Sequence, residues 1–422
     1  MNQPTEWKTQ PLGEWPIEII DGDRSSRYPK RDEFLDEGVP FLNSTNFTDD
    51  CINTSSLNYI SVEKADTIKK GRAKPLDLLM TTRGSIGKVA LSPSSMPIAL
   101  INAQMLIIRV DQSRLDPKFL FGVMRSKEFQ TKLRNFASGS AQPQIPIRDL
   151  RQILLRAPPL PTQRRIAAIL SAYDDLIENN TRRIAILEEM ARRLYEEWFV
   201  HFRFPGHEGV KMVESEIGPV PEGWESTRLG DFASEVREAV DPSTVPLDTP
   251  YVGLEHIPRR SVTLSRWGDP ASVESTKLKF RRGDVLFGKI RPYFHKVSIA
   301  PFDGICSSDT IVIRPTKQQS LSMVLCCTSS DRFVDHSSQT SQGTKMPRAN
   351  WKVLTAYPLP TPTTNLLRQF NEFVDMIVAQ TRNLMLRNTN LRTQRDLLLP
   401  KLISGEIDVS EIGEPMVEVA AE

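Results

Sequence analysis

The chain has 422 residues, of which 25% are charged and 39% hydrophobic, a composition typical of a globular protein with two to four domains. Its 54 basic and 52 acidic residues exclude a polybasic binder of the histone kind, but they leave room for a localised nucleic-acid surface. We find no secretory signal, no apolar stretch near the roughly 20 residues that span a bilayer, and no metal-ligand spacing among the cysteines and histidines. These absences favour a soluble, cytoplasmic protein with no membrane partner and no structural metal.

Residues 1–158 are predicted to form a domain of mixed strands and helices. Short runs of β-branched and aromatic residues, separated by glycine and proline, indicate strands and turns. Asp116 followed by Pro117 is a helix-start signal, and we expect a helix from there to about Leu133. Asp116 and Lys118 also have the acid-x-Lys spacing of a metal-dependent nuclease, but the helix cap accounts for Asp116 and Pro117 together.

Residues 159–204 are predicted to form one long helix. Pro161 precedes the expected N-cap Thr162, and Pro205-Gly206 ends the pattern. Asn180 interrupts an apolar stripe that recurs in steps of three and four residues. The stripe consists of Ile166, Ile169, Tyr173, Leu176, Ile184, Leu187, Ala191, Leu194 and Trp198.

The second half of the chain repeats the first at an offset of about 200 residues. Residues 205–360 form the second predicted domain, residues 361–406 a second long helix from about Thr364 to Ser404, and residues 407–422 an acidic tail. Several segments match in the same order, among them Ile107-Ile108-Arg109 with Val312-Ile313-Arg314. The stripe of the second helix is Leu366, Phe370, Phe373, Ile377, Leu384, Leu391 and Leu398, with Thr381 and Asn388 as polar breaks.

Each long helix has roughly 40 residues and a length of about 60 Å. One amphipathic helix of this length cannot bury its stripe alone, so we expect the two to pack together as an antiparallel coiled coil. The alternative is that each helix packs on the domain that precedes it. The predicted fold class is therefore α+β, with two repeated αβ domains separated by two long helices.

The candidate binding chemistry lies on loops. Arginine and lysine can pair with phosphates or guanine, and glutamine with adenine, although each such residue alone could be a solvated loop charge. The net charges of the first domain, first helix, second domain and C-terminal stretch are +4, 0, +1 and −3, so the small basic excess lies in the domains. The candidates in the first domain are Arg24, Arg27, Tyr28, Lys30, Arg31, Arg83, Ser85, Lys88, Ser138, Gln142 and Gln144. Those in the second domain are Arg259, Arg260, Lys289, Arg291, Tyr293, Lys296, Gln342 and Lys345.

Signatures of the common nucleotide and methyl-transfer enzymes are missing. There is no G-x-x-x-x-G-K-[ST] phosphate loop and no G-x-G-x-x-G dinucleotide loop. The Asn-Pro-Pro-aromatic sequence with which amino-methyltransferases hold a flipped adenine is also missing. We therefore expect no catalytic residue in this chain.

Two stretches carry a family resemblance. The segment from Ala157 to Leu170 (APPLPTQRRIAAIL) and the ending from Leu397 to Ile407 (LLLPKLISGEI) resemble the specificity (S) subunit of type I restriction-modification systems. Gly283-Asp284-Val285-Leu286 and the Arg83-Gly84-x-x-Gly87 pattern also fit. The first half departs from the family in having Leu76-Asp77 where Gly-Asp is usual, and the second helix lacks a counterpart of Gln163-Arg164-Arg165.

The resemblance implies that each αβ domain is a target-recognition domain that reads one half of a split site in double-stranded DNA. The helix pair then sets the unread gap and docks two methyltransferase (M) subunits, and motor-nuclease (R) subunits join for cleavage. S-adenosylmethionine, ATP and magnesium are expected in those partners, with no cofactor in this chain. The residues expected to dock the partners are Gln163, Arg164, Arg165, Asp174 and Glu178, and we expect them to be exposed on the helix. The open alternatives are a coiled-coil scaffold that binds proteins and, less favoured, a diverged nuclease.

Overall fold

A computed structural model describes residues 7–48, 51–54, 57–136 and 144–413. The chain divides into two compact units, and both units contain one sheet-rich domain and part of each long helix. The first unit comprises Met1–Asp175 with Leu391–Glu422, and the second comprises Leu176–Asn390.

The first unit contains two four-stranded sheets. One has the order Asn58–Ile60, Val39–Leu42, Ala99–Ile101, Arg72–Ala73, and the other Ile17–Asp21, Met105–Val110, Leu78–Thr81, Val89–Leu91. Smaller antiparallel pairs join Lys8–Pro11 to Leu154–Ala157 and Phe47–Thr48 to Cys51–Ile52. The shorter helices are Val62–Thr67, Pro117–Arg125, Lys127–Phe136 and Ile147–Leu150.

The second unit also contains two four-stranded sheets. One has the order Ala233–Val236, Thr310–Pro315, Val285–Gly288, Val297–Ile299, and the other Ala239–Val240, Lys277–Phe280, Gly304–Cys306, Tyr251–Val252. Two smaller pairs join Glu225–Arg228 to Pro358–Thr361 and Met212–Val213 to Val220–Pro221. The shorter helices are Leu229–Phe232, Leu321–Thr328, Asp331–Gln339 and Trp351–Leu354.

An ion pair between a buried aspartate and a partly exposed arginine occupies the same place in both domains. In the first, the guanidinium of Arg109 donates from Nε and Nη2 to the two carboxylate oxygens of Asp77, at 2.9 and 2.7 Å. In the second, Arg314 donates to Asp284 in the same way, at 2.8 and 2.7 Å. These hydrogen bonds raise the pKa of both arginines, so both guanidinium groups stay charged at neutral pH. The internal repeat inferred from sequence is thus a repeat of structure.

One strand distinguishes the two domains. Both have a parallel pair, Val39–Leu42 with Ala99–Ile101 and Tyr251–Val252 with Gly304–Cys306. The first domain extends its sheet at Val39–Leu42 by adding Asn58–Ile60. The second instead extends the opposite edge, where Ala239–Val240 pairs with Lys277–Phe280.

The helix predicted from Asp116 to Leu133 is two helices. Its start is as expected, because Asp116 accepts a hydrogen bond from the backbone N–H of Phe119 at 2.9 Å and Pro117 follows it. The first helix ends at Ser126, whose backbone is extended. The hydroxyl of Ser126 caps the second helix by accepting a hydrogen bond from the N–H of Phe129 at 3.2 Å. Ser330 makes the same cap with Phe333 in the second domain.

The first long helix spans Leu160–Tyr195 and continues as a π-helical turn, Glu196–Val200. The prediction of Thr162 as its N-cap is wrong, because the helix has already begun at Leu160 and the N–H of Gln163 donates to the carbonyl of Pro159. The second long helix spans Thr364–Ser404, as its pattern predicts. Gly405 follows it at a φ of +79°, in the left-handed region that ends helices.

The two long helices contact each other inside the second unit. Asn180 donates to the side-chain oxygen of Asn388 at 2.8 Å, and the rings of Phe199 and Phe370 lie 4.7 Å apart edge to face. Higher-numbered residues of one helix thus meet lower-numbered residues of the other. The predicted stripes are displaced in places: Leu176 and Phe373 are exposed, and the neighbouring Ile177 and Val374 are buried instead.

The helices also meet inside the first unit. Leu170 and Leu399 both approach Gly122 of the helix Pro117–Arg125, and all three elements contribute to one apolar core. Arg156 donates to the carbonyl of Ser404 at 3.2 Å, and its guanidinium lies 4.9 Å from the ring of Trp7. The residues near Ser404 therefore pack on the first domain.

Candidate nucleic-acid interface

A tight turn in the first domain carries three of the predicted binding residues. It connects strands Leu78–Thr81 and Val89–Leu91, and we call residues 82–88 the first basic turn. The backbone of Thr82 fixes it twice, donating to the carbonyl of Gln104 at 2.8 Å and accepting from the N–H of Ile145 at 3.1 Å. Ser85 and Lys88 are exposed, whereas Arg83 is half-buried.

The second domain builds the same turn. Residues 289–296, the second basic turn, connect strands Val285–Gly288 and Val297–Ile299. Lys289 donates from its N–H to the carbonyl of Asp309 at 2.8 Å and accepts from the N–H of Ala349 at 2.9 Å. These are the counterparts of the two Thr82 contacts, so the repeat extends to the candidate binding loops.

Both turns form an antiparallel bridge with the segment before a short helix. Arg83 is bridged to Gln144 in the first domain, and Ile290 to Arg348 in the second. This contact brings Gln144 beside the first basic turn. Gln342 is in turn bridged to Arg348, so it lies beside the second turn; Gln342 and Lys345 are both exposed.

An aromatic side chain organises the cations of the second basic turn. The guanidinium of Arg259 lies 4.2 Å from the ring centre of Phe294, and that of Arg291 lies 5.9 Å from it. Tyr293 contacts the same ring and is 56% exposed. Cation–π contacts with Phe294 thus hold two arginines beside an exposed aromatic ring.

Other predicted residues of this region have partners within the domain. The amine of Lys296 donates to the carbonyl of Leu254, and burial lowers its pKa, with a further contribution from nearby Arg259. Arg260 donates to Asp331 at 2.9 Å. The structure therefore gives Lys296 and Arg260 internal contacts, and their predicted DNA contacts are untested.

The predicted binding residues near the N-terminus also include some with partners inside the domain and some that are exposed. Arg24 pairs with Asp21 at 3.2 Å, and Arg27 donates to the carbonyl of Thr67 at 3.0 Å. The half-buried ring of Tyr28 packs edge-on against Phe41, with centres 5.4 Å apart. Its neighbours Lys30 and Arg31 are exposed. Ser138 and Gln142 lie outside the described residues.

The sequence reading missed two basic residues beside the second basic turn. A cavity of about 310 Å³ is lined by Arg237, Lys289, Gln342 and Arg348 among others. Arg237 pairs with Glu235 at 2.8 Å and Arg348 with Asp309 at 3.5 Å, and both arginines remain exposed. Aligning the two repeats would have pointed to Arg348, because it occupies the place of Gln144.

The residues expected to dock partners separate into two groups. Gln163 was expected to be exposed, and that is wrong: it is 1% exposed, accepts from the N–H of Asp116 at 2.9 Å, and donates to the carbonyl of Pro158 at 2.8 Å. Asp174 is half-buried between Arg125 and Arg395, at 2.8 and 2.7 Å. Tertiary contacts cause both outcomes, since the first domain covers this part of the helix.

The remaining members of the docking set are accessible to different degrees. Arg164 and Glu178 are exposed, and Glu178 pairs with Arg182 one turn further along the helix. Arg165 is half-buried, and its Nε makes no hydrogen bond to the described part of the chain.

Among the described residues, no three His, Cys, Asp or Glu side chains are arranged to hold a metal ion together. Burial raises the pKa of the Cys326 and Cys327 thiols to about 12, which disfavours a thiolate nucleophile. No helix in the described ranges is both long enough and apolar enough to cross a membrane.

Comparison with known proteins agrees with this duplicated architecture. Residues 4–189 match the family described as type I restriction modification DNA specificity domain. The chain is 26% identical over 345 residues to the type I restriction enzyme MjaIX specificity subunit of Methanocaldococcus jannaschii, covering 79% of this chain and 78% of that protein. It is 24% identical to the HindI specificity subunit of Haemophilus influenzae, covering 96% of this chain and all of that one.

The chain is thus similar over most of its length to type I restriction specificity subunits, and residues 4–189 match their DNA specificity domain. The resemblance noted in the sequence is therefore confirmed. The fold of this chain agrees, because it is similar to the crystal structure of the S subunit of a type I restriction-modification system from M. genitalium. That likeness has a TM-score of 0.55 at 14% identity and covers 95% of this chain and 97% of the other.

Proposed function

We propose that this specificity subunit selects the DNA sequence for a type I restriction-modification complex, with each sheet-rich domain reading one half of a bipartite target. The observation that carries the proposal is the basic turn that is built twice. Both turns are fixed by the same pair of backbone hydrogen bonds, at Thr82 and at Lys289. Both present cations next to an amide side chain, the combination that distinguishes guanine from adenine in the major groove.

The two turns differ in their side chains, as two readers of different half-sites should. The first presents Arg83, Ser85 and Lys88 beside Gln144, and the second presents Arg291 and Tyr293 beside Gln342. Base preference depends on such side chains, whereas phosphate contacts mainly set position. A chain with a net charge of only +2 would gain further phosphate attraction from its partners.

We further propose that the long helices form an antiparallel coiled coil that sets the gap between the half-sites. Within each unit they run in opposite directions, and Asn180 pairs with Asn388 as the polar layers of coiled coils do. A helix of 41 residues is about 60 Å long, which is nearly two turns of DNA. Two readers on one spacer gain affinity only where the half-sites match its length.

The helices also supply a surface for partner subunits. We propose that Arg164, Arg165 and Glu178, together with exposed apolar residues of the helices, bind two methyltransferase subunits, which motor-nuclease subunits then join. The S-adenosylmethionine, ATP and magnesium chemistry would lie in those partners, and this chain would contribute no catalytic group. The exposed apolar side chains are Leu176, Ile186, Met190, Phe373, Met376, Leu386 and Leu397.

Paired variants test whether the two domains read separately. Alanine at both Arg83 and Lys88 is expected to relax the first half-site alone, and alanine at both Arg291 and Tyr293 the second alone. The expected loss is about 1–3 kcal/mol of discrimination for each direct base contact removed. Sequencing with modified-base detection, in cells that carry the whole system, reports both half-sites and the gap.

The controls are Lys118→Ala and Lys352→Ala, since both lysines are exposed at the second position of a short helix, one in each domain. Both variants should keep the wild-type target. If the wild-type complex methylates no split sequence, the proposed function is wrong and a protein-binding scaffold becomes the better account. If either turn variant relaxes both half-sites equally, the division of reading between the domains is wrong.

A further inference from the structure

The first long helix holds a loop of the second domain through one carboxylate. Glu188 accepts three hydrogen bonds on a single oxygen, Oε1: from the hydroxyl of Ser261 at 3.0 Å, the N–H of Val262 at 3.1 Å and the N–H of Thr263 at 2.8 Å. A side-chain oxygen that accepts from two consecutive backbone N–H groups fixes the position of that segment, because a rotamer change of Glu188 would break both backbone bonds together. We call residues 259–263 the clamped segment.

The clamped segment is hydrogen-bonded to the second basic turn and to the strand that follows this turn. The N–H of Ile299 donates to the carbonyl of Val262 at 2.9 Å, and the N–H of Arg260 donates to the carbonyl of His295 at 2.9 Å. Arg259 is bridged to Lys296, and its guanidinium rests on Phe294. Any movement of the clamped segment therefore moves Arg259 and the Phe294 ring against which Arg291 also lies.

Arg260 shows that this arrangement needs support. Its φ of +56° lies in the left-handed region, which residues with a side chain seldom adopt. Such a conformation persists only where surrounding contacts enforce it. The three Glu188 bonds begin at the very next residue, Ser261, and so supply part of that enforcement.

We propose that Glu188 is a positioning residue that fixes the Arg259–Arg260 turn of the second reading domain to the first long helix, so that this contact helps to set the gap and the second half-site. The inference rests on the proposed function, since it concerns how the spacer and reader of that function are joined. It predicts that the carboxylate acts by its position as an acceptor and not by its charge. Glutamine keeps Oε1 as an acceptor, so replacing Glu188 by glutamine should leave the gap and the second half-site unchanged.

The test compares Glu188→Ala with Glu188→Gln in the complete restriction-modification complex. We expect Glu188→Ala to relax the gap preference and to weaken discrimination at the second half-site about tenfold, the size expected when an ordinary hydrogen bond is lost. Glu188→Gln should restore wild-type behaviour. The matched control is Glu189→Ala, since Glu189 is the next residue of the helix and pairs only along it, with Arg192 and Arg193.

The readout is the set of methylated sequences, with complex assembly measured in parallel. If the gap and second half-site of Glu188→Ala equal those of the wild type, the proposal is overturned. If that variant fails to assemble, Ser261→Ala removes one donor of three and should change the same two quantities less; wild-type values for Ser261→Ala would then reject the proposal. An absence of split-site methylation in the wild type would instead refute the proposed function itself.

Discussion

The two units use the same fold but attach it to the long helices by different chemistry. In the first, Asp174 of the first helix lies between Arg125 of the domain and Arg395 of the second helix. In the second, Glu188 accepts from the clamped segment, and Arg382 of the second helix donates to the carbonyl of Pro301 at 3.0 Å. The core of a duplicated domain is thus retained while its junction with the spacer diverges, as expected if each junction positions a different reader.

The largest effect is expected from Asp174→Ala. The change leaves two arginines without their shared carboxylate, and the side chains of Arg125 and Arg395 are only 6% and 10% exposed. We expect a loss of about 3–5 kcal/mol in the free energy of unfolding, the usual cost of removing one partner from a buried ion pair. Arg382→Ala removes a single hydrogen bond to a carbonyl and should cost about 1 kcal/mol. Denaturant titration of the assembled complex measures both; equal costs would show that the junctions are equivalent.

A second pair of variants tests what the units share. Asp77→Ala and Asp284→Ala each abolish a bidentate pair with an arginine that is about 30% exposed, so water can partly replace the carboxylate. We expect about 2–3 kcal/mol for either variant. Differential scanning calorimetry of the full chain would resolve the two units, and costs that differ widely would contradict the equivalence of the two cores.

Protonation of Glu188 distinguishes the second junction further. Burial raises the pKa of its carboxyl above 4.5, the ordinary value for a glutamate. Because the folded-state pKa is the higher one, protonated Glu188 contributes its full stabilisation of the folded state below the unfolded-state pKa of about 4.5. This stabilisation is lost as pH rises through the folded-state pKa. Glu188→Gln cannot ionise, so its melting temperature relative to wild type should increase as pH rises from 4.5 through the higher folded-state pKa of Glu188. A difference that stays constant over that range would contradict the raised pKa.

The smallest effect concerns one backbone position. Leu76 has a φ of +67° directly before Asp77, and Gly283 has a φ of +90° directly before Asp284. Space around Gly283 is open, so Gly283→Leu should cost about 1–2 kcal/mol from backbone strain alone. Leu76→Gly should stabilise the first unit by about 0.5 kcal/mol, less than the strain relieved, because glycine is more flexible when unfolded. Thermal melts of the two variants should therefore shift in opposite directions.

The sequence predicted what depends on local pattern. The bounds of the second long helix and the cap at Asp116 rest on residues close together in the chain. The repeat rests on short local segments that recur in the same order about 200 residues later. It failed where distant contacts decide. The helix pattern predicts an exposed Gln163, because nothing in its own helix shows that Asp116 covers it.

The candidate interface follows the same rule. The basic turns could be predicted because their cations cluster in sequence. Which of these cations have a partner inside the domain depends on distant residues, such as Leu254 for Lys296 and Asp331 for Arg260. The sequence does not indicate a role for Glu188, since glutamates are common on the polar face of a long helix. Its partners lie more than 70 residues away, in a segment whose path depends on the whole second domain.

The contribution of residues 391–413 to the first unit has a consequence for biosynthesis. The second unit is one uninterrupted stretch, Leu176–Asn390, and every residue of it has been synthesised before Leu391 is added. The first domain emerges from the ribosome earlier but lacks Leu399, Leu402 and Val409 of its apolar core until the whole of the second unit has been synthesised. The unit that is translated first is therefore the one that finishes folding last, and a nascent chain exposes that incomplete core throughout synthesis of the second.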